Sequence, residues 1–169
     1  VLSYLRGEQK DGSANRKDCD FCSVIALEIE DTGTHIITCI GIAFEVRKSD
    51  SEIKKFVYFS HSGKMPESEY LTEQGVCYSN QEIKKLVSAR TKSDDNRGKG
   101  EVNRIYGSKE AYLGTLYDVI LGYIDQNRFI TMEKSAIALK MTNGTGQFIR
   151  DYMFPKNTSN TIATISEQL

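Results

Sequence analysis

The chain has 169 residues, with 22 lysines and arginines against 23 aspartates and glutamates. That length supports one domain, residues 1–169, with its own apolar core, and the near-balance of charge leaves no net field to draw it to nucleic acid or an anionic membrane. No stretch approaches the roughly 18 apolar residues that a membrane span needs, and the N-terminus has no apolar core of signal-peptide length, so neither a membrane span nor a dominant nucleic-acid role is expected.

In chain order, the first feature is Cys19-Asp20-Phe21-Cys22 at the entrance to a strand, Ser23 to Glu30. With His35 and Cys39 these cysteines match the ligand spacing of a zinc finger. β-Branched residues flank the turn signal Asp31-Thr32-Gly33-Thr34, however, which is a hairpin pattern. Pairing Asp31 with Thr34 sets Glu30 against His35 and Cys22 level with Ala43, so Cys22 and His35 fall on the order of 25 Å apart. No metal or other cofactor site is read here. The same pairing makes one apolar face of Ile25, Leu27, Ile29, Ile36, Thr38 and Ile40, extended by Ile42, Phe44 and Val46, which is expected to be the core. The other face, with Glu28, Cys39, Gly41 and Ala43, is small or polar and leaves room for another element or a ligand.

The second strand, His35 to Val46, is followed by a polar loop and a third, Ile53 to His61, completing a three-stranded meander. Two registers pack equally well. In one, Phe44 meets Phe56, Ile42 meets Tyr58, Glu45 meets Lys55 and Cys39 meets His61, with Cβ atoms about 5 Å apart. A slip of one residue sets Ile42 against Val57 and sends His61 to the opposite face from Cys39.

Beyond His61, Pro66 to Gln74 reads as a short helix, with proline at a first helical position, early glutamates and Gly75 past its end. Ser79 to Glu82 is a capping box that opens a second helix with Ile83, Leu86 and Val87 on its apolar stripe, ending near Arg90. Residues Thr91 to Gly100 contain no apolar side chain and read as a mobile loop. A longer helix is expected from a Ser108 cap to Asp125. Phe129 to Thr131 and Ser135 to Met141 then read as strands, and Thr161 to Ser166 as an edge strand or short helix. The expected fold is therefore α+β: a mostly antiparallel sheet of about five strands packed against two or three helices.

The cysteines are too few for a disulfide framework, and an apolar strand around Cys39 suggests a reduced thiol, so a cytoplasmic setting is the default. The sequons at Asn143 and Asn157 would permit glycosylation, and a secreted effector is the other setting considered. With only His35 and His61 present, any histidine-dependent chemistry must use one of them, and His35 sits beside a turn. Signatures of serine hydrolases, zinc proteases and zinc deaminases are missing from the sequence.

A strand bearing Cys39, a hairpin, and a strand ending in His61 resembles the core of cysteine-histidine glutamine deamidases of the chemotaxis-receptor deamidase and cytotoxic necrotizing factor type. The likeness covers about a quarter of the chain. It implies Cys39 as nucleophile, His61 as base and Thr34 or Thr38 as orienting group, attacking a side-chain amide of a protein substrate in an effector or toxin domain. Those families tend to place glycine or serine before the cysteine, where this chain has Thr38. The other expectation is a noncatalytic protein-interaction domain, resting on the tyrosines flanking the long helix, the polar loop and the lack of a firm catalytic motif.

Overall fold

The ladder of hydrogen bonds that organises this protein runs through four antiparallel strands in simple sequence order, as seen in a computed structural model that describes residues 1–93 and 102–137. They are β1 (Phe21–Glu30), β2 (Ile37–Val46), β3 (Lys55–Ser62) and β4 (Arg104–Tyr106). Around them lie α1 (Leu2–Arg6), α2 (Asn80–Ser93), α3 (Lys109–Gly114) continuing into a π-helical turn (Thr115–Ile120), and α4 (Gln126–Ile137). The α+β class and the N-terminal meander stand as expected from sequence, with four strands among the described residues. No helix among the described residues is long and apolar enough to cross a membrane.

The chain divides into two compact units, Val1–Tyr123 and Ile124–Leu169. All of the sheet belongs to the first. Of the second, α4 is described, and it replaces the strands expected at Phe129–Thr131 and from Ser135. Asp125 explains the difference, because its Oδ1 accepts from the Arg128 amide at 2.7 Å and its carbonyl from the Phe129 amide at 3.0 Å, the bonds of a helix N-cap. The rest of that expected strand, the proposed final element and most of the polar loop lie outside the described residues; of the loop, Thr91 to Ser93 form the last turn of α2.

The first hairpin is offset by two residues from the expected pairing: Glu30 faces Ile37 and Cys22 faces Glu45. Its turn is longer because Asp31 closes it from within. The Asp31 carboxylate accepts from the amides of Gly33 and Thr34, and the Asp31 amide donates to the Ile36 carbonyl at 2.9 Å. An offset of two leaves every side chain on its expected face. Both faces are buried. On the face expected to be the core Ile40 is closed from solvent and Val46 and Phe44 nearly so. On the small-residue face Ala43 and Phe59 are closed as well, because α2 lies across it with Ile83 and fills the space those small residues leave. The face expected to be the core is covered at its ends by Leu5 of α1 and by Tyr112 of α3, while Ile25 and Leu27 on the edge strand stay exposed.

The capping box at the start of α2 forms as expected: the Ser79 amide and hydroxyl donate to the Glu82 carboxylate at 2.7 and 2.8 Å, and the Glu82 amide returns to the Ser79 hydroxyl. Ser108 likewise caps α3, accepting from the Ala111 amide. The long helix expected after it stops short of Asp125, at Leu121, where Gly122 and Tyr123 turn into left-handed backbone. The helix expected from Pro66 to Gln74 does not form. Glu69 and Tyr70 both have positive φ, Leu71 pairs with Cys77, and the segment is a chain of turns that drives Tyr70 into the core.

Candidate functional site

The register question is settled by the sheet: Cys39 in β2 lies directly opposite His61 in β3, on the face beneath α2. Gly41 and Phe59 show why this register wins. They are neighbours in the same ladder, and the Phe59 ring lies over the glycine, filling the hollow a side chain would otherwise occupy. Glu45 opposite Lys55 adds an ion pair at 4.0 Å. Across the three strands the row reads Glu28, Cys39, His61.

Both Cys39 and His61 are 0% exposed, and their hydrogen bonds go elsewhere than to each other. The Cys39 thiol donates to the Gly63 carbonyl at 3.5 Å. His61 Nδ1 faces the Ser62 carbonyl at 3.0 Å, and Nε2 faces the Tyr70 hydroxyl at 2.8 Å. A carbonyl only accepts, so Nδ1 carries the proton, Nε2 keeps its lone pair, and Tyr70 donates to it. The Tyr70 hydroxyl also lies within reach of the Cys39 side chain and would bond it as a thiolate, but in the neutral state its proton is directed at Nε2 and the thiol proton at the Gly63 carbonyl. The result is a closed network in which phenol and neutral imidazole are bonded to each other and the thiol to the backbone beside them. Phe59 stacks on the imidazole at 6.3 Å and meets the Tyr70 ring edge-on at 5.7 Å, which keeps the network dry.

Electrostatics follow from that burial. Desolvation pushes the Cys39 thiol above its ordinary pKa, with a smaller opposing effect from the Tyr70 hydrogen bond. Desolvation holds His61 below its ordinary value, the Ser62 hydrogen bond opposing it and the Arg90 charge reinforcing it. Burial also raises the Tyr70 hydroxyl far above the ordinary tyrosine range. Arg90, on α2, donates to the same Ser62 carbonyl at 2.9 Å, and the Glu28 carboxylate accepts from the Met65 amide at 2.6 Å. Converting thiol and imidazole into an ion pair here would place two charges in a medium that solvates neither well.

The chain gives no significant match to protein-family models, to curated proteins or to solved structures. The site therefore has to be read from its own geometry.

Neither threonine proposed as an orienting group joins the pair. Thr38 neighbours Cys39 in β2, and successive strand residues point to opposite faces, so its side chain lies on the other side of the sheet. Thr34 is exposed in the first hairpin turn. The sequence placed Glu28 on the Cys39 face, but two further groups that bear on the site, Tyr70 and Arg90, were not foreseen. For Tyr70 a signal was present, since Pro66 to Gln74 offers only Tyr70 and Leu71 as large apolar residues, too few for the stripe of a packed helix.

Beside this buried network, a surface groove of about 940 Å³ runs between α2 and the preceding segment, lined among others by Leu71, Glu73, Tyr78, Lys85 and Leu86. The ring of Tyr78 links groove to network, meeting Tyr70 edge-on at 6.4 Å.

Proposed function

We propose that this chain is a noncatalytic protein-interaction domain that uses the groove between α2 and residues 68–78 as its binding face. The observation that carries this reading is the closed, neutral state of the Cys39–His61 pair. A nucleophile needs its thiol within reach of a base and of a substrate. Here the imidazole lone pair is taken by Tyr70 and no surface of either residue meets solvent. The groove supplies what the pair does not: an open apolar floor at Leu71 and Leu86, bordered by charges of both signs, Lys85 and Arg90 beside Glu73 and Glu82. That lining suits a partner segment with apolar anchors flanked by charges of both signs.

The second reading is a cysteine-dependent hydrolase of the deamidase type acting on a protein substrate. One specific observation favours it: Cys39 and His61 are opposed on adjacent strands, the spacing such a pair requires. Alkylation of the folded protein across pH separates the two. The interaction reading expects Cys39 to react slowly, with an apparent pKa above the 9.0 of an ordinary thiol. A single fast-reacting Cys39 titrating well below that value would reverse the order of the readings.

A further inference from the structure

Residues 63–78 lie over Cys39 and His61, and their backbone is strained where it matters most. Glu69 and Tyr70 occupy left-handed conformations in succession, at φ of 50° and 60°. For residues other than glycine, each such conformation costs on the order of 1–3 kcal/mol and persists only where surrounding contacts hold it. Tyr70 is what holds it: the side chain is 2% exposed, packed against Phe59, His61 and Tyr78, with its hydroxyl on His61 Nε2. The segment is bracketed by Gly63 and Gly75, both at positive φ. Its backbone ties to the sheet are few: the Gly63 amide to the Ile37 carbonyl at 2.8 Å, the Gly63 carbonyl to the Cys39 thiol at 3.5 Å and the Met65 amide to the Glu28 side chain. Arg90 of α2 bonds the carbonyl of Lys64 within the segment and that of Ser62 at the end of β3 just before it.

We infer that residues 63–78 form a strained strap, latched by Tyr70, whose opening uncovers Cys39 and His61 while the sheet and α2 stay folded. The latch is one hydrogen-bonded aromatic side chain working against two unfavourable backbone conformations. Such segments belong to the low-stability end of a fold and open below the free energy of global unfolding. In the open state the His61 lone pair loses its phenol partner and the thiol faces it across the ladder. The inference stands on packing and backbone geometry, and holds whether or not the exposed pair has a substrate.

The test is alkylation of the full chain by N-ethylmaleimide in rising, sub-denaturing urea, with the Cys39 adduct followed by peptide mass spectrometry. A separate strap opening gives a Cys39 rate that is flat at low urea and joins the global unfolding line only near the transition. Tyr70→Phe, which keeps the ring and removes the latch bond, is expected to raise that flat rate about tenfold. Glu69→Gly, which relieves strain in the closed state, is expected to lower it about fivefold. Opposite signs from two neighbouring positions are the signature of a strap. Should Tyr70→Phe fail to fold, the wild-type urea profile and Glu69→Gly still decide. A Cys39 rate that follows global unfolding at every urea concentration, or a Glu69→Gly protein labelled as fast as wild type, would overturn the inference. Neither result decides the noncatalytic reading, which turns on the pH dependence of Cys39 alkylation without urea and not on how the rate changes with urea.

Discussion

Gly41→Ala is expected to destabilise the protein by about 3 kcal/mol, the upper range for forcing extra volume into a packed core. The reason is local and geometric. A Cβ built at this position meets the Ile25 carbonyl oxygen at 2.6 Å, the Phe59 ring at 2.9 Å and the Ala26 Cα at 3.0 Å. Two of those three are backbone atoms of the neighbouring strand, so no rotamer change relieves the clash. β2 would have to move away from β1 or the ladder would have to bend. Equilibrium urea unfolding of wild type and variant measures the difference through the transition midpoint. A loss under 1 kcal/mol would mean that the close approach of β1, β2 and Phe59 is not as described.

Phe59→Ala should cost about 4 kcal/mol by the same measurement, since it empties a site closed on all sides by Ala43, Tyr70, Ile83 and Val87. The ring also covers Gly41 and stacks on His61, so the cavity opens toward both. That shared contact makes the two substitutions dependent. In the double variant the ring that blocks the methyl group added at position 41 is gone, and the combined loss should fall short of the sum by about 1 kcal/mol. Strict additivity would place Phe59 and Gly41 out of contact.

Much of the fold was legible in the sequence because its signals are local. The Asp31 turn, the Ser79 capping box and the alternation of Ile25, Leu27 and Ile29 each announce an element from a few residues. Register was not legible, because Phe44 against Phe56 and Ile42 against Val57 are equally good side-chain pairs. The deciding contact, Phe59 over Gly41, concerns a residue with no side chain to count. Burial on both faces was partly legible: the large aliphatic residues marked one core face, where Ile40 and Val46 are buried, and the small residues on the other make room for α2. The helix that Asp125 opens and the short β4 strand lay beneath the resolution of periodicity. In the candidate site, Cys39 and His61 were found because strands fixed them. Tyr70 was not, since it reaches the pair from a segment whose backbone follows tertiary packing against local preference.

The protonation state of His61 ties these observations together. Because the buried ring resists a proton that the unfolded chain accepts near its ordinary pKa of 6.5, the stability gained by burying it neutral is complete above that pH. It is lost as pH falls from there through the lower folded-state value. The most direct measurement is a long-range nitrogen-proton correlation spectrum of the His61 imidazole in the folded protein at pH 7, read together with the Cys39 Cβ chemical shift. A proton on Nδ1, a bare Nε2 and a thiol-type Cys39 shift are the predicted result. An imidazolium protonated at both nitrogens beside a Cys39 thiolate would contradict the closed, neutral pair and make this site a candidate for catalysis.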